Sequence, residues 1–144
     1  MFRRRHERRG QTLVEFALIL PIFLLLLMGI FDFGRAVYAY NTVSNAARQA
    51  VRLAIVDQEP SKIQDLAAKQ AASLGIDPST VTIKFVNPDL SSGQPCDVVP
   101  VLNGCIVEVT VPYTYRAATP IIGNLIGPIS ISSTSRLPVE RTYP

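Results

Sequence analysis

A run of apolar residues near the N-terminus constrains this chain more than any other feature of its sequence. Residues 16–31 carry no charge, and the twenty residues from 12 to 31 are about the number that a helix needs to cross roughly 30 Å of hydrocarbon. A buried core helix would keep a polar face, whereas leucine, isoleucine and phenylalanine point in every direction here. The sequence therefore predicts a transmembrane helix over residues 11–31.

The charges on either side of this span predict its orientation. Only Asp32 and Arg35 follow it closely, whereas five arginines precede it: Arg3, Arg4, Arg5, Arg8 and Arg9. By the positive-inside rule the N-terminus stays in the cytoplasm. We therefore expect a single-pass protein of the cell membrane, with residues 1–10 as a basic cytoplasmic leader and residues 32–144 as an extracytoplasmic domain.

The distribution of the remaining charge argues against a nucleic-acid partner. The net charge is +3, yet from residue 11 onward nine basic residues face ten acidic ones. The basic character thus belongs to the leader, and no segment interleaves aromatic with basic residues. Membrane lipid and other proteins are the expected partners, with no nucleic acid.

The helical pattern continues beyond the span. Apolar residues recur at steps of three and four from Phe33 to Ala54, and no Gly or Pro occurs between residues 35 and 59. The pattern predicts one helix of about 45 residues, roughly 65 to 70 Å long. Pro21, inside the span, is expected to bend it mildly, as lipid-embedded helices tolerate.

A second, shorter helix is predicted after Pro60. Ser61 and Gln64 have the spacing of a capping box, in which a hydroxyl and an amide satisfy free N–H groups at a helix start. Gly75 suits the helix end, since glycine adopts the left-handed conformation without strain.

The rest of the chain has the pattern of a small antiparallel sheet. Residues 81–86, 106–115 and 129–137 are rich in β-branched residues and predict three strands. Pro112 favours an edge or strand-end position because it lacks an amide hydrogen. Residues 120–128 predict a compact turn or a short helix on the membrane-proximal side. The fold class is therefore α+β, with the sheet packed on the long helix.

Few residues outside the span could carry chemistry. Cys96 and Cys105 flank a turn-rich loop of eight residues, and a disulfide can persist outside the cytoplasm. A metal pair or a redox pair is the alternative for these cysteines. The only histidine, His6, is predicted to lie on the other side of the membrane, so histidine-based mechanisms are disfavoured. We expect no enzyme, no cofactor and no bound metal.

Glu15 is the most informative single residue because it lies inside the apolar stretch, about one turn from its cytoplasmic end. An unpaired carboxylate costs a few kcal/mol there unless it finds a partner or reaches the interface. One interpretation is that Glu15 extends back to the headgroups near the arginines. The other is that it pairs with a cation supplied by another subunit.

The residues from 9 to 54 resemble the TadE-like family, minor pilins or pseudopilins of the Tad (tight adherence) pilus machinery. The resemblance covers about a third of the chain and ends in an alanine-rich segment at 46–54. The matching residues, in the family's order, include Gly10, Glu15, Phe16, Ala17, Pro21, Gly29, Phe33, Gly34 and Arg35.

The resemblance implies processing and assembly of the type IV pilin kind. A prepilin peptidase would cut between Gly10 and Gln11, which makes Glu15 the fifth residue of the mature chain. Its cation would then be the new amine at Gln11, in its own chain or in a neighbouring pilin-like subunit. Gln11 departs from the phenylalanine common at that position in type IV pilins.

The function implied by the resemblance is that of an accessory structural and assembly component of a Tad-type pilus or secretion system. Its implied partners are other pilin-like subunits, Tad assembly proteins and the prepilin peptidase. A mature chain of about 134 residues with a strand-rich domain is too large for the major subunit. The alternative is a single-span anchored binding module unrelated to pili.

Overall fold

A single long helix organises the fold. The computed structural model of the chain describes residues 4–88, 96 and 104–140. Helix α1 spans Arg4–Ala54 and continues through Pro21 without a break in its assignment. Its 51 residues exceed the predicted 45 or so because the helix also takes in part of the basic leader.

The two halves of α1 have different environments. Every residue from 10 to 26 is exposed, whereas the second half buries one face in a small core. That face carries mostly alanine and valine, whose small side chains let other elements approach the helix backbone closely. Its fully buried members are Val43, Ala46, Ala47, Ala50 and Ala54.

Helix α2, Pro60–Gln70, packs on α1, but the predicted capping box is wrong. Pro60 occupies the start of the helix, where its fixed φ and missing N–H carry no penalty, so the N-cap is Glu59 and no side chain caps it. Ser61 instead donates to Glu59 Oε1 at 2.9 Å. Gln64 Nε2 donates to the Val81 carbonyl at 3.1 Å and so ties α2 to the chain that enters the sheet.

The end of this helical region follows the prediction. A short 3₁₀ helix, Ala72–Leu74, continues from α2, and Gly75 ends it in the left-handed conformation with φ 63°.

Three antiparallel strands form one sheet in the order β1-β2-β3: Thr82–Val86, Ile106–Tyr115 and Ile129–Pro138. The prediction of an edge position for Pro112 is only partly right, because β2 is the central strand. Strand β1 pairs with β2 as far as Thr110, so among the described strands the half that contains Pro112 is paired with β3 alone. A missing amide hydrogen disrupts less pairing there.

The sheet closes the core against α1. Val107, Val109 and Val111 alternate along β2 and are fully buried in one cluster with the alanine face of α1 and with Ile63 of α2. The α+β class and the three-stranded antiparallel sheet are thus confirmed.

Helix α3, Pro120–Ile126, connects β2 to β3 and is the short helix that the sequence allowed for. It lies beside α1 at the level of Gly29: a Cβ built on Gly29 would stand 3.9 Å from Ile122 Cδ1, an ordinary van der Waals contact. Gly127 then takes φ 72°, a value that favours glycine, and the chain turns into β3.

Candidate functional site

The first half of α1 is a long, exposed and apolar surface. The helix Gly10–Ala54 is long and apolar enough to cross a membrane, and none of its most apolar 18-residue window is buried in the fold. Its side chains are therefore available to lipid or to other chains. One N-terminal apolar helix with these properties is consistent with a single-pass membrane anchor.

Glu15 is the only acidic residue between Gly10 and Phe31, and it lies on this exposed surface. Gln11, one helical turn earlier, places its Nε2 3.4 Å from Glu15 Oε1, a weak hydrogen bond. A Cβ on Gly10 would meet nothing within 4 Å, so the Gly10–Gln11 peptide is sterically open in this chain. The structure thus brings Gln11 and Glu15 together, while cleavage and subunit docking stay predictions.

Asp32 marks the boundary between the exposed half of α1 and the folded domain. It is only 6% exposed although Phe31 and Phe33 on either side of it are open to the surroundings. Its carboxylate accepts from the Ala118 amide through Oδ1 at 2.8 Å and from the Thr119 amide through Oδ2 at 3.0 Å. These bonds join α1 to the start of α3, 86 and 87 residues further along the chain.

The same residue is also held through its backbone. Tyr115 at the end of β2 donates its hydroxyl to the Asp32 carbonyl at 2.7 Å. Helix α1, strand β2 and helix α3 therefore meet at one aspartate. A junction of this kind restricts how the folded domain can rotate about α1.

The hydrogen bonds also determine the charge state of the junction. Hydrogen bonds from the Thr119 side chain and the Ala118 amide hold the pKa of Asp32 below its usual value, although burial acts in the opposite direction. The positive charge of Arg35 lowers this pKa further. The Arg35 guanidinium lies 4.0 Å from Asp32 Oδ1. Burial and the nearby Asp32 carboxylate raise the pKa of Tyr115. Asp32 is thus ionised at neutral pH and Tyr115 is neutral.

Comparison with known families identifies the segment that contains Glu15 and Asp32. Residues 10–52 match the family model described as TadE-like protein. This chain carries a TadE-like segment. The predicted family is thereby confirmed over the exposed half of α1 and most of its buried half. The match suggests a component associated with the Tad pilus. No curated protein and no solved structure matches the chain.

Within the TadE-like segment, Asp32 is the residue whose role the sequence did not reveal. In sequence, Asp32 stands between two phenylalanines on the far side of an uncharged span, and this position indicates only the orientation of the span. A single carboxylate that interrupts an otherwise apolar helical stretch is itself a signal, because it needs partners when it is buried. Those partners lie more than 80 residues away and carry no motif that would name them.

The cysteine pair lies outside the TadE-like segment, next to the sheet. Cys96 and Cys105 are joined as a disulfide with their Cα atoms 5.8 Å apart, a separation usual for such a bond. Both are buried in the core cluster. Val139 donates its amide to the Cys105 carbonyl at 2.8 Å, so the pair is also connected to the end of β3.

Two grooves flank the contact between the TadE-like segment and α3. The larger, about 530 Å³, lies between α1 and residues 118–120 and is lined mainly by apolar side chains, among them Leu24 and Met28. The smaller, about 230 Å³, lies on the other side of Asp32, beside Gly29 and Ile126. Neither groove assembles a set of titratable groups beyond Asp32 and its neighbours Arg35 and Tyr115. Among the residues described, no cluster of three His, Cys, Asp or Glu side chains is placed to hold a metal ion.

Proposed function

We propose that this chain is a structural and assembly component of a Tad-type pilus or secretion system, anchored by α1 with its folded domain outside the cytoplasm. The observation that carries the proposal is the TadE-like match over residues 10–52, whose first half is an exposed apolar helix with a single carboxylate. A helix of this kind can move from lipid into contact with the helices of other subunits. The protein's role is then to assemble with other chains and not to catalyse a reaction.

In this proposal, Glu15 is the residue through which the chain recognises a neighbouring subunit. Cleavage by a prepilin peptidase between Gly10 and Gln11 would create a cationic amine at Gln11, about one helical turn from Glu15. In a low-dielectric setting the attraction between the two charges offsets a few kcal/mol of the cost of burying the carboxylate. Pairing with the amine of a neighbouring pilin-like subunit would favour docking in a fixed register.

The Asp32 junction supports the same role. A subunit that docks through its helix must carry its outer domain in a defined orientation, so that neighbouring domains do not clash. The bonds from Tyr115, Ala118 and Thr119 to Asp32 couple the domain to α1 just beyond the predicted span.

The proposal is tested by isolating surface filaments together with the membrane fraction and sequencing the chain's N-terminus by mass spectrometry. We expect the chain to be recovered with Tad components and to begin at Gln11. Recovery of the full-length chain from cells with an active prepilin peptidase would contradict the cleavage. Gly10→Leu should leave an uncut precursor, because a side chain at this position obstructs the approach of the peptidase to the backbone.

Glu15→Gln isolates the docking step. We expect the variant to remain in the membrane, with a folded domain, but to be recovered with other pilus components at least several-fold less than wild type. Glu140→Gln is the matched control, since Glu140 is an exposed glutamate of the folded domain. Equal recovery of Glu15→Gln and wild type would contradict the pilin-like mechanism and leave an anchored binding module.

A further inference from the structure

The surface around α3 is apolar and open. Leu125 and Ile126 at the end of α3 are 84% and 59% exposed, and Ile129 at the start of β3 is 43% exposed. Phe31 and Phe33 of α1 are 68% and 72% exposed. We refer to these five side chains as the apolar collar. A folded domain gains nothing from exposing such large side chains to water, so the collar marks a contact surface.

The collar lies at the end of the predicted span. Ile122 of α3 lies beside Gly29 of α1, two residues before the span ends at residue 31, which is a depth of about 3 Å along the helix axis. Phe33, Ile126 and Ile129 line one groove with Gly29. The collar is therefore continuous with the apolar surface of α1, at the height where that surface would leave the hydrocarbon.

The chemistry of this part of the chain suits the boundary between acyl chains and headgroups. No residue from 117 to 135 carries a charge. The helix pairs part of its backbone internally, with Gly123 donating to the Thr119 carbonyl at 2.8 Å and Gly127 donating to the Gly123 carbonyl at 2.9 Å. Paired backbone groups lower the cost of leaving water.

Two exposed arginines lie close to the collar in sequence. Arg35 lies one turn beyond Phe31 on α1, with its side chain more than half exposed, and Arg116 is exposed just before α3. Arginine side chains at this height reach lipid phosphates while their stems remain on apolar surface. Exposed apolar residues with cations close to them are the arrangement of an interfacial membrane contact.

We propose that the apolar collar inserts into the outer leaflet of the bilayer that α1 crosses, so that α3 forms a second, interfacial contact with lipid acyl chains. The inference rests on the proposed membrane span, and it adds that the folded domain contacts the membrane surface through α3. Two contacts at one height, α1 and α3, fix both the tilt and the rotation of the domain relative to the bilayer. Asp32, which joins the two helices, holds them at that common height.

The test uses the absence of tryptophan from this chain, so that one introduced tryptophan is the only such fluorophore. Three full-length variants are reconstituted in phosphatidylcholine vesicles that carry bromine on both the upper and the lower part of the acyl chains, or no bromine. Leu125→Trp probes the collar and Phe23→Trp probes the middle of the span. Val56→Trp probes the opposite end of the folded domain, beyond the C-terminal end of α1.

We expect bromine to remove most of the emission of Leu125→Trp and of Phe23→Trp, and the emission maximum of Leu125→Trp to lie well to the blue of Val56→Trp. Bromine should remove almost none of the emission of Val56→Trp. Quenching of Phe23→Trp without quenching of Leu125→Trp would overturn the inference and leave the span intact. This holds also if the emission of Leu125→Trp is shifted to the blue but not quenched, because such emission indicates that protein covers the collar. If Phe23→Trp is not quenched, the span itself fails, and the proposed anchoring fails with it.

Discussion

Single residues decide how the two halves of this protein are connected. Asp32 accepts hydrogen bonds from two backbone amides with its carboxylate and one from Tyr115 with its carbonyl. A carboxylate is suited to this position because it offers an acceptor to each amide at once. An asparagine in its place would present one acceptor and one NH₂ donor, which leaves one amide opposed by another donor.

We therefore expect Asp32→Asn to lower the melting temperature of the detergent-solubilised full chain. The matched control is Asp65→Asn, at an exposed position of α2, which should change it little. Because hydrogen bonds hold the pKa of Asp32 below its usual value in the folded state, its contribution is complete above the unfolded pKa of about 3.9. It is lost as the pH falls through the folded pKa.

The difference between wild type and Asp32→Asn should thus be constant from about pH 7 to pH 5 and shrink below about pH 4. Thermal unfolding followed by circular dichroism at each pH measures it. A difference that persists undiminished in acid would show that the charge of Asp32 does not stabilise the fold.

At the scale of elements, one helix has two environments and its composition changes accordingly. The first half of α1 carries large apolar side chains that stay exposed, whereas the second half buries alanines against α2 and the sheet. Close packing through alanine leaves little space to fill, so a larger side chain there would force the elements apart. Between β1 and β2, the disulfide from Cys96 to Cys105 adds a covalent connection at the edge of this core.

The disulfide yields the prediction at this scale. The two cysteines are nine residues apart in sequence, and a loop of this length stabilises a fold by about 2 to 3 kcal/mol on the chain-entropy model. Replacing both Cys96 and Cys105 with serine should lower the free energy of unfolding by about that amount, as measured by denaturant titration. The helices and the sheet should persist, since most of the core lies elsewhere.

Wild type under reducing conditions is the control for the double variant, and the two should be equally destabilised. Non-reducing peptide mapping should recover the segments around Cys96 and Cys105 as one linked species. Two alkylatable thiols in protein taken from its native compartment would contradict the pairing.

At the scale of the whole molecule, the remaining prediction concerns topology. Five arginines precede an uncharged span, so the C-terminal domain is expected outside the cytoplasm. A reporter enzyme that works only outside the cytoplasm, fused after Pro144, should be active. Replacing the five arginines with glutamine should reduce that activity, because the charge difference across the span is then lost. Activity of a cytoplasm-only reporter at the same position would show the opposite orientation.

Local patterns in the sequence were sufficient to predict most of the helices and strands. The long helix, the second helix and the three strands follow from hydrophobic periods of 3.6 and 2, which depend only on neighbours in sequence. The bounds of β2 were predicted as the structure has them. The error at the start of α2 was also local, because Pro60 is a favoured first residue and outweighed the capping pair at Ser61 and Gln64.

The apolar span, the α+β elements and the TadE-like character of the first third could be predicted from sequence, since each depends on composition or order along the chain. The burial of Asp32 and the position of α3 beside Gly29 became visible in the folded chain alone. Both depend on contacts between residues more than 80 positions apart, which no local period records. Two of the bonds to Asp32 come from the Ala118 and Thr119 amides, groups that every residue except proline carries, and the side chains of Tyr115 and Thr119 that also bind it follow no sequence pattern that links them to Asp32.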